Sequence, residues 1–438
     1  MDKQRTIAKA TTLSGVGLHS GGKVNVAFKP GKPDSGVVFV RIDLASRPEL
    51  KLSVDHLVPK EGSLRYSCLE KDGIRVYTIE HLLAALNGMG IDNLVIELDA
   101  EEVPGLDGSS REFVELLERA GIVEQEAVRF WCAIGEPISV EDPGGASIIA
   151  LPSDELKISY TLDYNHPYIN TDFMQITVTP QTFKSELAPA RTFCLEKEVE
   201  QLRTKGLGKG ANYTNTLVVG DQGVVKNKLR FENEFVRHKI MDLLGDLYIM
   251  GRPLKAHIVA LRSGHSLNTK LVKELSHHPA RPEVKFGEAP TIAADGAMDV
   301  GQVMRIIPHR DPFLFVDRIV SMERCKRIVG TKYVRPDEYF FRGHFPQRPL
   351  MPGVLILEAM AQVGGVMMLS LEENRGKLAF FMMINNAKFR QPVLPGDELT
   401  FEVVAGKIKS RTGALHGTAS VKGKVVAEAD LMFAVADK

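Results

Sequence analysis

The strongest constraint on the fold is a pattern that occurs twice. "EHLLAALNGMGIDNLVIEL", from Glu80, reads as an amphipathic helix, a Gly turn and a short apolar strand. "DGSSREFVELLERAG" follows as a second helix with Phe113, Leu116, Leu117 and Ala120 on one face. Further along, "RHKIMDLLGDLYIMGRPLKAHIVAL" gives helix, Gly turn and strand again, and "LNTKLVKELSHH" is the helix behind it. Strand-like runs precede each copy: "KVNVAFKP" and "GVVFVRIDL" the first, "RFWCAIGEPISVED" and "ASIIALP" the second. Strands followed by helices, repeated, predict two related α+β halves, 1–125 and 126–276, meeting near Val123 to Phe130. A site between two such halves is natural.

The 438 residues suffice for roughly three domains at about 150 residues each. At 276–300, "SHHPARPEVKFGEAPTIAADGAMDV" replaces apolar periodicity by Pro, Ala, Gly and charge, so 277–299 reads as a linker to a further domain at 300–438. Lys plus Arg and Asp plus Glu are both 55, which removes the bulk electrostatic case for nucleic acid or an anionic membrane. The longest apolar run, "VLILEAMAQVGGVMML", contains Glu358, Gln362 and a Gly pair behind Pro352, so a buried helix is expected and no membrane span. The first residues lack an apolar leader, and Cys68, Cys132, Cys194 and Cys325 form no CxxC pair. A reducing, cytoplasmic setting fits both observations.

Two sets of residues carry chemistry. In the second copy of the repeat, His238, Asp242 and Asp246 recur every four residues and share one helix face. In the first copy, Glu80 and His81 open the helix. His81, His238 and Asp242 would form an N/O ligand set with a vacant fourth position, the pattern of a catalytic zinc site, and Glu80 would stand beside it as a general base. On spacing alone the alternative is a solvated helix face, with Glu80 suited to the positive end of the helix dipole.

In the C-terminal segment Pro352 suits the first turn of a helix that is apolar nearly all round. Glu358 is the anomaly in it, and burial would raise its pKa and fit it for proton transfer. Gln362 lies four residues on, and His344 in the turn "RGHFP" is the second proton-transfer candidate. A structural Glu-Gln pair with a loop histidine is the alternative.

The segments "SGVGLHSG", "TIEHLLAALNGMGIDN", "DGSS", "ARTF", "RHKIMDLLGD" and "SGHSLN", in this order, resemble the zinc-dependent UDP-3-O-acyl-N-acetylglucosamine deacetylases of lipid A synthesis over residues 1–275. The resemblance implies Zn2+ on His81, His238 and Asp242, with Glu80 as general base. It implies a hydroxyl at Thr192 that stabilises the oxyanion, and His265 as a protonated acid whose imidazole Asp246 holds. Lys239 would meet the nucleotide diphosphate, Phe193 the sugar, and His19 would be a further ligand contact. Cys194 stands where the family often has Gly. The acyl chain of such a substrate needs an apolar passage, expected from the insert at 195–225 and its "TNTLVV" run.

"PHRDPFLFVDR", "GHFPQRPLMPGVLILEAMAQ" and "KFRQPVLPGDEL" resemble the 3-hydroxyacyl-acyl-carrier-protein dehydratases over about 300–438. This implies a hot-dog domain, an antiparallel sheet around a long central helix, built from strands such as "LAFFMMINNAKFRQPV" and "DELTFEVVAGKI". His344 and Glu358 would be the catalytic pair, contributed by different protomers of a dimer or of a trimer of dimers. The Gly353 N–H would polarise the thioester of an acyl carrier protein substrate. Asp311 stands where that family usually has an aromatic residue. The expected whole is a bifunctional enzyme, a deacetylase fused to a dehydratase. The alternatives are a hot-dog thioesterase or a non-catalytic acyl-carrier-protein module at the C-terminus, and a metal-stabilised scaffold at the N-terminus.

Overall fold

The repeat becomes two five-stranded sheets of one topology. In the first, Thr11–Val16, Lys23–Pro30, Leu94–Leu98, Val37–Arg41 and Glu49–Lys51 lie side by side in that order. In the second the order is Ile138–Glu141, Ser147–Leu151, His257–Leu261, Lys157–Leu162 and Asp172–Thr177. Both show the same succession of pairings: antiparallel, antiparallel, parallel, antiparallel. The middle strand of each sheet is the last to be laid down. A strand parallel to its neighbour needs a long crossover, and a helix supplies it each time. Those are the helices Glu80–Met89 and Glu234–Leu247, the two that carry the candidate ligands.

This structure is a computed structural model that describes all residues except 1, 59–64, 278–279, 283–285, 288, 291, 337, 409–411 and 438. The chain divides into two units, Met1–Ala280 and Arg281–Lys438. Within the first, the predicted seam near Val123 is a strand, Ile122–Val128, paired antiparallel with Lys3–Ile7. The single run expected over "RFWCAIGEPISVED" is two strands, Phe130–Ala133 and Ile138–Glu141, because Gly135 and Pro137 interrupt it.

Leu82, Leu83 and Leu86 of the Glu80 helix pack in one core with Leu243, Leu244 and Leu247 of the Glu234 helix. Each such side chain contributes roughly 1.5–3 kcal/mol when fully buried. The two helices approach closely at Gly245, where an added Cβ would lie 2.0 Å from the carbonyl oxygen of Glu80. The insert forms a strand Leu217–Gly220 that pairs parallel with Phe193–Leu195 and antiparallel with Gly223–Val225, with a short helix Val199–Thr204 between them in sequence.

The second unit is a six-stranded antiparallel sheet in the order Arg318–Glu323, Arg327–Tyr333, Glu398–Ile408, Thr412–Val421, Lys424–Ala436, Leu378–Phe389. Its core gathers Met360, Val363 and Met367 of the helix Gly353–Leu369 with Phe401, Val403 and Leu431 of the strands, as a hot-dog fold requires. Pro352 is not in the first turn: it caps the helix with extended backbone (ψ 130°), and Gly353 is the first helical residue. The helix is also not enclosed all round, since Val354 is 70% exposed. Of the expected linker, residues 278–279, 283–285, 288 and 291 lie outside the described residues. Its last part belongs to the second unit, where Met298 is buried and Asp299 caps the helix Val300–Ile306. Among the described residues no helix is long and apolar enough to cross a membrane.

Candidate active sites

In the first unit His81, His238 and Asp242, all buried, bring one nitrogen or oxygen atom each to within 4.8 Å of one another. Nε2 of His238 is 3.3 Å, and Nε2 of His81 3.6 Å, from Oδ1 of Asp242. That oxygen is buried and has no hydrogen-bond partner. A buried lone pair without a donor is costly, and a cation there would satisfy it, so the donor set fits a metal ion. Nδ1 of His238 lies 3.2 Å from the Ala190 carbonyl, which as acceptor fixes the proton on Nδ1 and leaves Nε2 bare toward the site. Burial also pushes this imidazole down to about 4, so it is neutral and able to ligate.

Glu80 and His265 flank the cluster, with Oε1 and Nε2 4.0 Å apart. Burial raises the Glu80 carboxyl above its ordinary range despite His265 and His81 nearby. Burial works against charge on His265, but the Asp246 carboxylate, 2.7 Å from Nδ1, outweighs it and the pKa is raised. Asp246 accepts two further hydrogen bonds, from the Ser67 hydroxyl and the Asn268 side chain, at 2.5 and 2.8 Å. Neither Ser67 nor Asn268 had been singled out from the sequence. Asn268 lies within the "SGHSLN" segment, one helical turn from His265, which is a usable signal; Ser67 offers none.

A cavity lined by His19, Glu80, His81, Thr192, Phe193, Cys194, Asp242 and His265 joins this candidate ligand cluster to the insert. It continues into a pocket lined by Cys194, Leu202, Leu207, Ala211, Thr216 and Val218. The two share Cys194, Leu202, Leu207 and Ala211, so Cys194 stands in the wall where one passes into the other. A wider, polar cleft on the other flank is bordered by Tyr164, Phe193, Lys239, Arg262 and His265. Phe193 stands edge-on to Tyr164 and His238, with ring centroids 5.7 and 6.2 Å away. Lys239 borders the polar cleft, and its ammonium sits 3.2 Å from Asp242 Oδ2. Arg65 and Arg262, absent from the sequence-based candidates, add two further cations to that cleft.

In the second unit Glu358 is half-buried, and Gln362 donates to it at 2.9 Å as its spacing predicts. Gln362 is itself fixed by the Phe315 N–H and the Phe313 carbonyl. The other neighbour of Glu358 is His309, with Nε2 3.4 Å from Oε1, a residue the sequence reading had passed over inside "PHRDPFLFVDR". The expected raised pKa is not found. Burial does push the carboxyl up, but the hydrogen bonds of His309 and Gln362 prevail and the pKa is lowered. Among the described residues no hydrogen bond or ion pair joins Glu358 to His344, whose Nδ1 lies 3.0 Å from the Leu350 carbonyl. Gly353 begins the 17-residue helix, and a Cβ there would meet the Phe389 ring at 2.8 Å. Asp311 is exposed and does not line the pocket around Glu358.

Fold and site thus define a chain with a metal-capable α+β hydrolase unit followed by a hot-dog unit that holds a carboxylate beside histidine. The family model described as UDP-3-O-acyl N-acetylglycosamine deacetylase matches residues 4–277, and the FabA-like domain model matches 307–430. The chain is 39% identical to the bifunctional enzyme LpxC/FabZ of Chlorobaculum tepidum, over 99% of both chains. It is 37% identical to the protein of the same name from Bacteroides thetaiotaomicron, over 99% of this chain and 98% of the relative. The UDP-3-O-acyl-N-acetylglucosamine deacetylase of Myxococcus xanthus is 42% identical over 64% of this chain and 88% of its own. The chain belongs to the family of bifunctional LpxC/FabZ enzymes.

Proposed function

We propose that the first unit hydrolyses the acetamide of UDP-3-O-(3-hydroxyacyl)-N-acetylglucosamine, and that the second converts 3-hydroxyacyl-acyl carrier protein to the trans-2-enoyl thioester. The single observation that carries the first reading is the partnerless, buried oxygen of Asp242 between two imidazoles, with Glu80 and His265 alongside. A zinc ion held by His81, His238 and Asp242 would supply Lewis acidity at the acetamide carbonyl. Glu80 takes a proton from the attacking water as the C–O bond forms. The Thr192 hydroxyl donates to the developing oxyanion. His265, charged through Asp246, then protonates the amine as the C–N bond breaks, leaving acetate and the free amino sugar. Lys239 with Arg262 suits the diphosphate, and Phe193 the sugar face. His19 closes the cavity beside Glu80, and the pocket running from Cys194 to Val218 suits the acyl chain. Residues 1–125 and 126–276 would be the two halves of this unit, and 300–438 the dehydratase.

In the second unit the Leu350 carbonyl favours the proton on Nδ1 of His344, so Nε2 is free to take the α-proton. Glu358 gives its proton to the leaving hydroxyl, which departs as water. The Gly353 N–H, at the positive end of its helix, receives the charge that builds on the thioester oxygen. We assign the His344 partner of each Glu358 to a second copy of the chain. The supporting feature is the edge strand Leu378–Phe389, where Phe380, Met382 and Phe389 are all more than half exposed. An apolar, unpaired edge of this kind calls for a pairing partner. We place the enzyme in the cytoplasm, where nucleotide sugar and acyl carrier protein are both available.

Turnover of the two substrates by the purified protein, with metal content measured, tests the pair of activities. Glu80→Gln should abolish deacetylation alone. Glu358→Ala and His344→Ala should each abolish dehydration alone, and co-refolding the two variants should restore part of it. No restoration would place both residues in one chain.

A further inference from the structure

Ser67 is fully buried at the mouth of a hairpin. Cys68–Lys71 pairs with Ile74–Tyr77, and the Thr78 N–H closes the hairpin onto the Ser67 carbonyl at 3.0 Å. The chain enters the Glu80 helix two residues later, so Ser67 faces the first turn of that helix. Its backbone N–H donates to Oε2 of Glu80 at 2.9 Å. Its hydroxyl donates to Oδ1 of Asp246 at 2.5 Å, on the other site helix. Because Ser67 occupies Oε2, the Glu80 carboxylate is held with Oε1 toward His265. Because it occupies Oδ1, Asp246 keeps Oδ2 for the His265 imidazole and Asn268.

We infer that Ser67 is a positioning residue of the hydrolytic site, tying the base Glu80 and the acid pair Asp246–His265 to one another across the two halves of the first unit. Among the described residues it makes no hydrogen bond to His81, His238 or Asp242, and it lines neither the cavity nor the polar cleft beside them. The inference rests on the deacetylase reading. Ser67→Ala removes the hydroxyl and keeps the backbone donor, so Asp246 and His265 lose a fixed orientation while Glu80 does not.

The test compares wild type, Ser67→Ala and Ser67→Thr in the full chain. In Ser67→Ala, kcat for deacetylation should fall about 10- to 100-fold, as for a small misplacement of reacting groups, with KM and bound zinc unchanged. Ser67→Thr, which retains the hydroxyl, should recover most of the loss. Wild-type kcat in Ser67→Ala, or equal losses in both variants, overturns the assignment. Should Ser67→Ala fail to fold, Ser67→Cys keeps the volume without a strong donor and serves the same comparison. The metal-free protein gives a readout independent of turnover: the downfield Nδ1–H signal of His265 in the NMR spectrum should be lost in Ser67→Ala. A wild type whose metal-free form shows this signal but whose zinc-loaded form gives no deacetylation would sink the deacetylase reading, whereas an unaltered signal in Ser67→Ala would sink the role of Ser67.

Discussion

Gly245→Ala probes whether the approach of two helices sets the hydrolytic site. The new Cβ would lie 2.0 Å from the Glu80 carbonyl oxygen and 2.8 Å from its carbon, both backbone atoms that cannot rotate away. Ordinary contact begins at 3.4 Å, so the start of the Glu80 helix has to retreat by about 1.4 Å along that line. That is the turn carrying Glu80 and His81, while His238 and Asp242 ride on the helix that pushes. Overpacking of this kind costs about 1–3 kcal/mol, which a unit with so large a core can bear. Catalysis is less tolerant, since about 1 Å of misplacement can cost ~100-fold. We therefore expect a folded protein with kcat for deacetylation lowered ~100-fold and weaker metal retention against a chelating dye. Gly88→Ala is the control: on the Glu80 helix, two turns from His81, its Cβ has its nearest approaches to the side chain of Phe183, so stability should suffer more than kcat. Wild-type turnover and metal affinity in Gly245→Ala would falsify the claim that this helix contact fixes the ligand geometry.

Stripping the metal should abolish deacetylation while leaving far-UV circular dichroism and dehydration intact, because the ligand helices are already held by buried leucines; loss of helical signal would favour the metal-stabilised scaffold. The raised pKa of His265 means that its active, protonated form persists above the ordinary imidazole value of about 6.5 and is lost as pH rises through the shifted value. The alkaline limb of kcat/KM should lie above that ordinary value, and Asp246→Asn should move it to lower pH; a limb that stays put would remove His265 from the rate law. Glu234→Ala strips the carboxylate from buried Arg191, 2.9 Å away and next in sequence to Thr192, and should cost about 3–5 kcal/mol in denaturant unfolding of the first unit. Protease cleavage within 277–299 should leave both turnover rates unchanged, since the two cores share no residue and neither reaction consumes the product of the other. Fusion would then fix the ratio of two activities on the same acyl class, and a large loss of either rate after cleavage would point to coupling.

The parts of the molecule that sequence made legible are those governed by short-range periodicity. His238, Asp242 and Asp246 share a face because a helix repeats every four residues, and the twofold pattern of strands and helices maps onto two sheets with one order of pairings. What stayed hidden depends on contacts between distant segments. Ser67 reaches Asp246 across 179 positions, and nothing about a serine before a short hairpin announces that. The strands Arg318–Glu323 and Arg327–Tyr333 escaped notice because Arg, Lys and Glu blur their apolar alternation. Glu358 is the instructive failure. An apolar helix argues for a desolvated, uncharged carboxyl, and that argument weighs only the residues on the helix itself. His309, from a segment far upstream, supplies the hydrogen bond that turns the balance toward the charged form. A dehydratase acid must give up a proton, so in the dimer proposed above the second protomer would have to exclude water from this pocket, displace His309 from Glu358, or both. Removing the His309 contact leaves burial as the dominant influence, and burial raises a carboxyl. On this reasoning the proton-donating state of Glu358 would belong to the proposed dimer, and no pattern within one sequence could display it.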